Sequence, residues 1–192
     1  MEDEGDSIST REGGWEVRQR RETKAFCEFV EARSHALLRT AYLMVGDHQL
    51  AQDLLQEALI KTLIAWPRLR DPAKVDAYVR RTLVTTAITW RRRRSFHERP
   101  VEFLPEISAV DQVEVLATHQ VLVSHLRDLS PRQRAAIVLR YYEDLTEAQT
   151  AEIMGCSVGS VKSHVSIGLG RLRERMGPAF DLAPAGEAGV TP

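Results

Sequence analysis

Three groups of side chains have the types and spacing to do chemistry. Ser157, Ser160, Lys162, Ser163, His164 and Ile167 fall within SVGSVKSHVSIGLGRL. At helical spacing Ser160, Ser163, His164 and Ile167 lie, with Arg171, opposite a stripe of Val158, Val161, Val165, Leu169 and Leu172. Short hydroxyls, a cation and an imidazole can reach base edges and phosphates, and Ile167 can meet a thymine methyl. A second group is Arg80, Arg81, Thr85, Thr89, Arg91 and Arg92. Here guanidinium groups can fix a phosphate backbone while threonines touch bases. Tyr78 and Trp90 lie in the same segment, where stacking on an unpaired base competes with an ordinary core role. The third group, Asp53, Gln56 and Glu57, shares a helix face with Gln49. Such an acidic, amide-rich stripe suits a basic protein surface, set against the plainer role of a solvated helix face.

The elements that carry these groups are all helical. DLTEAQTAEIMGCSVGSVKSHVSIGLGRL reads as helix, tight turn, helix. Thr146 caps the first helix, with Gln149 completing a capping box. Gly155 supplies the left-handed residue of the turn, and Ser157 caps the second helix. Upstream, Ser130 and Pro131 open a helix that continues through Tyr142. Nearer the N-terminus, Phe26, Phe29, Val30, Leu37, Ala41 and Met44 mark a long amphipathic helix ending near Gly46. Asp47 begins a second helix, which runs through Trp66 and stops at Pro67. A third is expected from about Asp76; Val84, Thr85, Thr86, Ile88 and Thr89 favour a strand by propensity, but Val79, Leu83, Ala87 and Trp90 keep helical spacing.

The expected architecture is therefore all-α, with two small helical domains joined by a flexible linker. Residues 1–22 are a charged, mobile tail, 23–94 the first domain and 95–112 the Pro-containing, carboxylate-rich linker. Residues 113–176 form the helix-turn-helix domain, and 177–192 a C-terminal tail.

A net charge of −1 excludes a uniformly basic nucleic-acid binder, so any affinity for DNA must come from local patches. The 43% hydrophobic and 28% charged residues are those of a globular chain. Cys27 and Cys156 stand apart, with neither CxxC nor zinc-spaced histidines, so no metal or cofactor is expected. A nucleophile–base pair and a phosphate-cradling glycine loop are also missing, which argues against an enzyme. No apolar run approaches a membrane span, and MEDEGD lacks the features of a signal peptide. A cytoplasmic location follows, with no membrane partner.

Taken in order, three motifs carry a resemblance. AQDLLQEALIKT resembles the region 2.2 helix of bacterial extracytoplasmic-function sigma factors, and AYVRRTLVTTAITWRRRR is similar to their regions 2.3–2.4. LSPRQRAAIVLRYYEDLTEAQTAEIMGCSVGSVKSHVSIGLGRLRE resembles their region 4, so the likeness covers about residues 23–176. FVEARSHALLRTAYLMVGD is similar to the actinobacterial SigE-like subgroup. The resemblance implies a dissociable RNA polymerase subunit that recognises minus-10 and minus-35 elements and initiates transcription.

By that resemblance, Asp53, Gln56 and Glu57 dock on the clamp helices of the largest subunit of core RNA polymerase. Arg80, Arg81, Thr85, Thr89, Arg91 and Arg92 serve the minus-10 element. Ser157, Ser160, Lys162, Ser163, His164 and Ile167 serve the minus-35 element, and an anti-sigma factor is a further partner to consider. Three residues depart from the family pattern: Thr85 replaces a common Asn, and His164 and Ile167 replace common arginines, so the family's promoter consensus does not transfer. The alternative is a LuxR-type DNA-binding regulator, whose recognition helix SVKSHVS also resembles. No βαβ pattern or acidic phosphoacceptor pocket precedes the motif here to form its sensory domain.

Overall fold

In the computed structural model, residues 6–69, 71–94 and 121–177 are described, with side-chain environments from residue 20 onward except at 72, 73 and 91–94. Helix α1 spans Asp6–Val45 and ends at Gly46, whose φ of 74° is left-handed. Arg127 closes over that glycine, its Cγ 2.5 Å from where a Cβ would stand. Helix α2 (His48–Ala65) begins where Asp47 accepts the Leu50 amide at 2.8 Å. Trp66–Arg68 then form a 3₁₀ turn around Pro67. Helix α3 covers Pro72–Arg94 and α4 covers 121–127. Helix α5 (Pro131–Ile137) continues as a π-helical turn, Val138–Tyr142, before α6 (Glu147–Met154) and α7 (Val158–Met176).

Two boundaries differ from expectation. Residues 6–22 are not a separate tail but the first turns of α1. Once the amphipathic part is nucleated, each preceding residue adds one hydrogen bond. The Glu-, Arg- and Gln-containing sequence also favours helix enough to carry Gly13 and Gly14. Helix α3 begins four residues before Asp76 because Pro72 suits a first helical position. The linker 95–112, the expected second-domain start at 113 and the C-terminal tail beyond Gly177 lie outside the described residues.

Threonines of α3, among them Thr85 and Thr89 that favour a strand by propensity, are accommodated within the helix. Thr82, Thr85 and Thr89 donate to the carbonyls of Tyr78, Arg81 and Thr85 at 2.8, 2.8 and 2.7 Å. Val75, Val79, Leu83, Val84 and Ala87 then face inward against Leu37, Ala41 and Met44 of α1 and Ala51, Leu54, Leu55 and Ala58 of α2.

The second set of helices does not stand apart. Ala135, Ala136, Val138 and Leu139, with Ala151, Ile153, Met154 and Val161, join that same core. Leu126, Leu129, Ile137, Leu169 and Leu172 form a smaller cluster behind it. Helix α3 thus packs on α5 and α6, where small alanines allow close approach. Gly168 serves the same end in α7, since a Cβ there would stand 2.6 Å from Ile137 Cδ1.

At the junction Arg134 is 1% exposed. Its Nε donates to the Leu126 carbonyl at 2.6 Å and Nη1 to the Met44 carbonyl at 2.8 Å. Replacing Arg134 with Met keeps the bulk but removes both donors, and a buried carbonyl left without a partner costs about 1–3 kcal/mol. Arg134→Met should lower unfolding stability by about 2–4 kcal/mol in a urea titration; an unchanged midpoint would show that these bonds are dispensable.

Candidate nucleic-acid interface

The helix-turn-helix forms as its local sequence dictates. Thr146 accepts the Gln149 amide at 3.2 Å while Gln149 accepts the Thr146 amide at 2.8 Å, completing the capping box. Gly155 adopts φ 61° and ψ 44°, and Ser157 accepts the Ser160 amide at 3.1 Å. The outward side of α7 exposes Ser157, Lys162, Ser163 and Ile167, with Ser160 and His164 half-buried. Val161, Leu169 and Leu172 face the core, and Val165 is half-buried.

Val158 does not join that core stripe. It is exposed in the first turn, just beyond the Ser157 cap, so inward packing starts one turn later at Val161. The exposed face therefore gains Val158 and also Ser166, which sequence spacing did not single out. Arg171 turns toward α5, where it donates to Gln133 at 3.1 Å. Lys162 pairs loosely with Glu147 at 3.4 Å, both side chains largely in solvent. Burial, and then the nearby Arg132 charge, lower the pKa of His164, which favours the neutral imidazole.

On α3, Arg81, Thr85 and Thr89 are exposed at i, i+4 and i+8 and make one outward stripe. Since the Thr85 and Thr89 hydroxyl protons point at helix carbonyls, each offers an oxygen lone pair and a methyl to a ligand. Arg91 and Arg92 lie in the last turn of α3, and their side chains are outside the described ones. Arg80 faces elsewhere. It pairs with Asp76 at 2.5 Å and with Glu143 at 2.8 Å, across the junction with the second set of helices.

On α2, Asp53 and Gln56 are exposed. Glu57 is held by Lys61 at 2.6 Å, and Lys61 also donates to Thr86 at 3.1 Å. Glu57, Lys61, Thr85, Thr86, Thr89 and Trp90 line a cleft of about 240 Å³ between α2 and α3. The acidic stripe and the Arg/Thr stripe are thereby contiguous. The sequence reading also missed Ile60, Leu63 and Ile64, which follow Gln56 around α2 and are exposed, Ile64 by 75%. Their helical spacing was the available signal, but it reads equally as an inward stripe. Among the described residues no cluster of three or more His, Cys, Asp or Glu could hold a metal. No described helix is long and apolar enough to cross a membrane.

Residues 29–97 match the family model for sigma-70 region 2, and residues 119–172 that for sigma-70 region 4. The RNA polymerase sigma-E factor of Streptomyces avermitilis is 41% identical over 155 residues, covering 81% of this chain and 87% of that protein. The chain belongs to the extracytoplasmic-function sigma factors, in the SigE-like group. The sigma-E factor of Streptomyces coelicolor is likewise 41% identical over 155 residues, covering 81% of this chain and 88% of its own length. As a sigma factor, the protein directs RNA polymerase to promoters and initiates transcription. With family matches in both sets of helices, the LuxR-type alternative is set aside.

The fold is shared with the sigma factor RpoE of Bartonella quintana, solved with the anti-sigma factor NepR. The TM-score is 0.67 at 23% identity, covering 82% of this chain and 99% of that one. CnrH, solved with the cytosolic domain of CnrY, gives 0.58 at 18% identity, covering 80% and 88%.

His164 supplies the direct test of the recognition face. His164→Arg puts a permanent cation where an imidazole biased toward its neutral form stands. Fluorescence anisotropy of the polymerase complex on minus-35 DNA should show tighter binding and a salt slope steeper by about one unit. An unchanged slope would place this side chain off the DNA.

Proposed function

We propose that this sigma factor docks on core polymerase through α2 and reads promoter DNA with two separate faces. Asp53, Gln56 and Glu57 meet a basic surface on the clamp helices of the largest subunit. Arg81, Thr85, Thr89, Arg91 and Arg92 serve the minus-10 element, joined by Arg80 when its present partners release it. Ser157, Ser160, Lys162, Ser163, His164 and Ile167 serve the minus-35 element, extended by Val158 and Ser166.

The observation that carries this assignment is the cleft shared by Glu57, Thr85 and Thr89. It makes the acidic docking stripe and the Arg/Thr stripe parts of one continuous surface, so docking on polymerase would bring the minus-10 face to the DNA beside it. Charge complementarity orients the encounter. The threonine methyls and acceptor oxygens supply base contacts with no metal or cofactor.

The protein is on this reading a non-catalytic subunit acting in the cytoplasm. An anti-sigma factor would find its apolar anchor at Ile60, Leu63 and Ile64 on α2. Thr85, His164 and Ile167 set a promoter preference different from that of relatives carrying Asn and Arg there.

Core polymerase supplied with the chain should start transcripts at a discrete set of promoters in a genomic pool. Asp53→Lys with Glu57→Lys should weaken core binding at least tenfold while circular dichroism stays unchanged, because two favourable charge pairings become repulsive. Unaltered core affinity would remove α2 as the docking helix.

A further inference from the structure

The two promoter faces belong to sets of helices that this structure holds together through a shared apolar core, and one carboxylate, that of Glu143, crosses between them as a polar clasp. Glu143 follows the π-helical turn, with its amide bonded to the Val138 carbonyl, and precedes Asp144, whose φ is 50°. That geometry carries the Glu143 side chain out of the helix-turn-helix half and onto α1 and α3. Its Oε2 accepts Arg80 Nε at 2.8 Å, and its Oε1 accepts the hydroxyl of Thr40, a residue 1% exposed. Behind it Arg80 is braced by Asp76 at 2.5 Å, and Asp76 takes both Nε and Nη2 of Arg33 at 3.0 Å. The side chains of Glu143, Arg80 and Asp76 are only 11%, 19% and 22% exposed.

We propose that Glu143 is an interdomain latch that holds the helix-turn-helix against α1 and α3, and that engaging a promoter requires it to open. The requirement is one of length. Minus-10 and minus-35 elements lie about 25 base pairs apart by their names, or roughly 80 Å at about 3.4 Å per pair. A compact chain of 192 residues has a radius of gyration of about 16 Å, far too small for its two faces to cover both. The halves must separate, and Arg80 loses its carboxylate when they do. A promoter phosphate is the anion that replaces it. One guanidinium then serves the closed state through Glu143 and the open state through DNA, which couples opening to binding.

The latch stands on this geometry alone; its coupling to promoters rests on the reading given above. The test uses the full chain labelled at Cys27 and at Glu174→Cys, with Cys156→Ser, so that energy transfer reports the distance between the halves. Glu143→Arg places a cation against Arg80, and Glu143→Gln removes the charge while keeping the shape. Energy transfer should fall in both, further in Glu143→Arg. The open-to-closed ratio should rise roughly ten- to a hundredfold, as expected on losing a charge-assisted hydrogen bond. Core polymerase should bind Glu143→Arg more tightly, since less of the affinity is spent on opening. Wild-type energy transfer in both variants overturns the latch. An opened Glu143→Arg protein with only wild-type affinity for core overturns the coupling. If neither wild type nor variant binds core, the polymerase reading has failed, and energy transfer alone decides the latch.

Discussion

Arg134 ties together three chain segments that also pack on one another through apolar side chains. Its guanidinium sits where α1 ends, where α4 ends and where α5 begins, donating to carbonyls of the first two. Those carbonyls are among the last in their helices; that of Leu126 also accepts the Leu129 amide at 3.2 Å. A cation is the partner that helix C-termini favour. Burying a guanidinium is costly, so the arrangement holds only because both helix ends meet it at once. Placing α1 and α4 around Arg134 also sets α5 against α3.

From that junction follows the way the functional surfaces are distributed. The alanines of α5 and α6 let the second half come close to α3, and the close approach puts Glu143 on Arg80. The side of α3 turned away from the junction keeps Arg81, Thr85 and Thr89 in solvent, beside the acidic stripe of α2. Helix α7 turns Leu169 and Leu172 inward against α4 and α5, leaving Ser157, Lys162, Ser163 and Ile167 outward. One face of α3 thus serves assembly and the other is free for a ligand.

Local signals were the legible ones. The caps at Asp47, Ser130, Thr146 and Ser157 and the turn at Gly155 appear where the residues predicted them, because each satisfies backbone groups within three or four positions. Periodicity correctly gave the inward face of α3 at Val79, Leu83 and Ala87. It failed at Val158, since helical spacing says which residues share a side but not where along the helix the neighbour begins. It set Arg80 beside the stripe of Arg81, Thr85 and Thr89 but gave no sign that a carboxylate covers Arg80. Adjacent residues on a helix differ by about 100° in direction, and only the position of α5 and α6 decides which direction is open.

By itself, then, the sequence determined the helices, their caps, the helix-turn-helix and the three groups of chemically able side chains. Motif order also pointed to the family. These depend on contacts between near neighbours, which the residue types largely settle. The tertiary structure decided that the two sets of helices share a core, that Arg134 binds two helix ends, and that Arg80 faces Glu143. Those pairings join residues up to 90 positions apart. Many partners for a buried arginine or an acidic side chain are compatible with the same local sequence, and only the packing of the described helices selects among them.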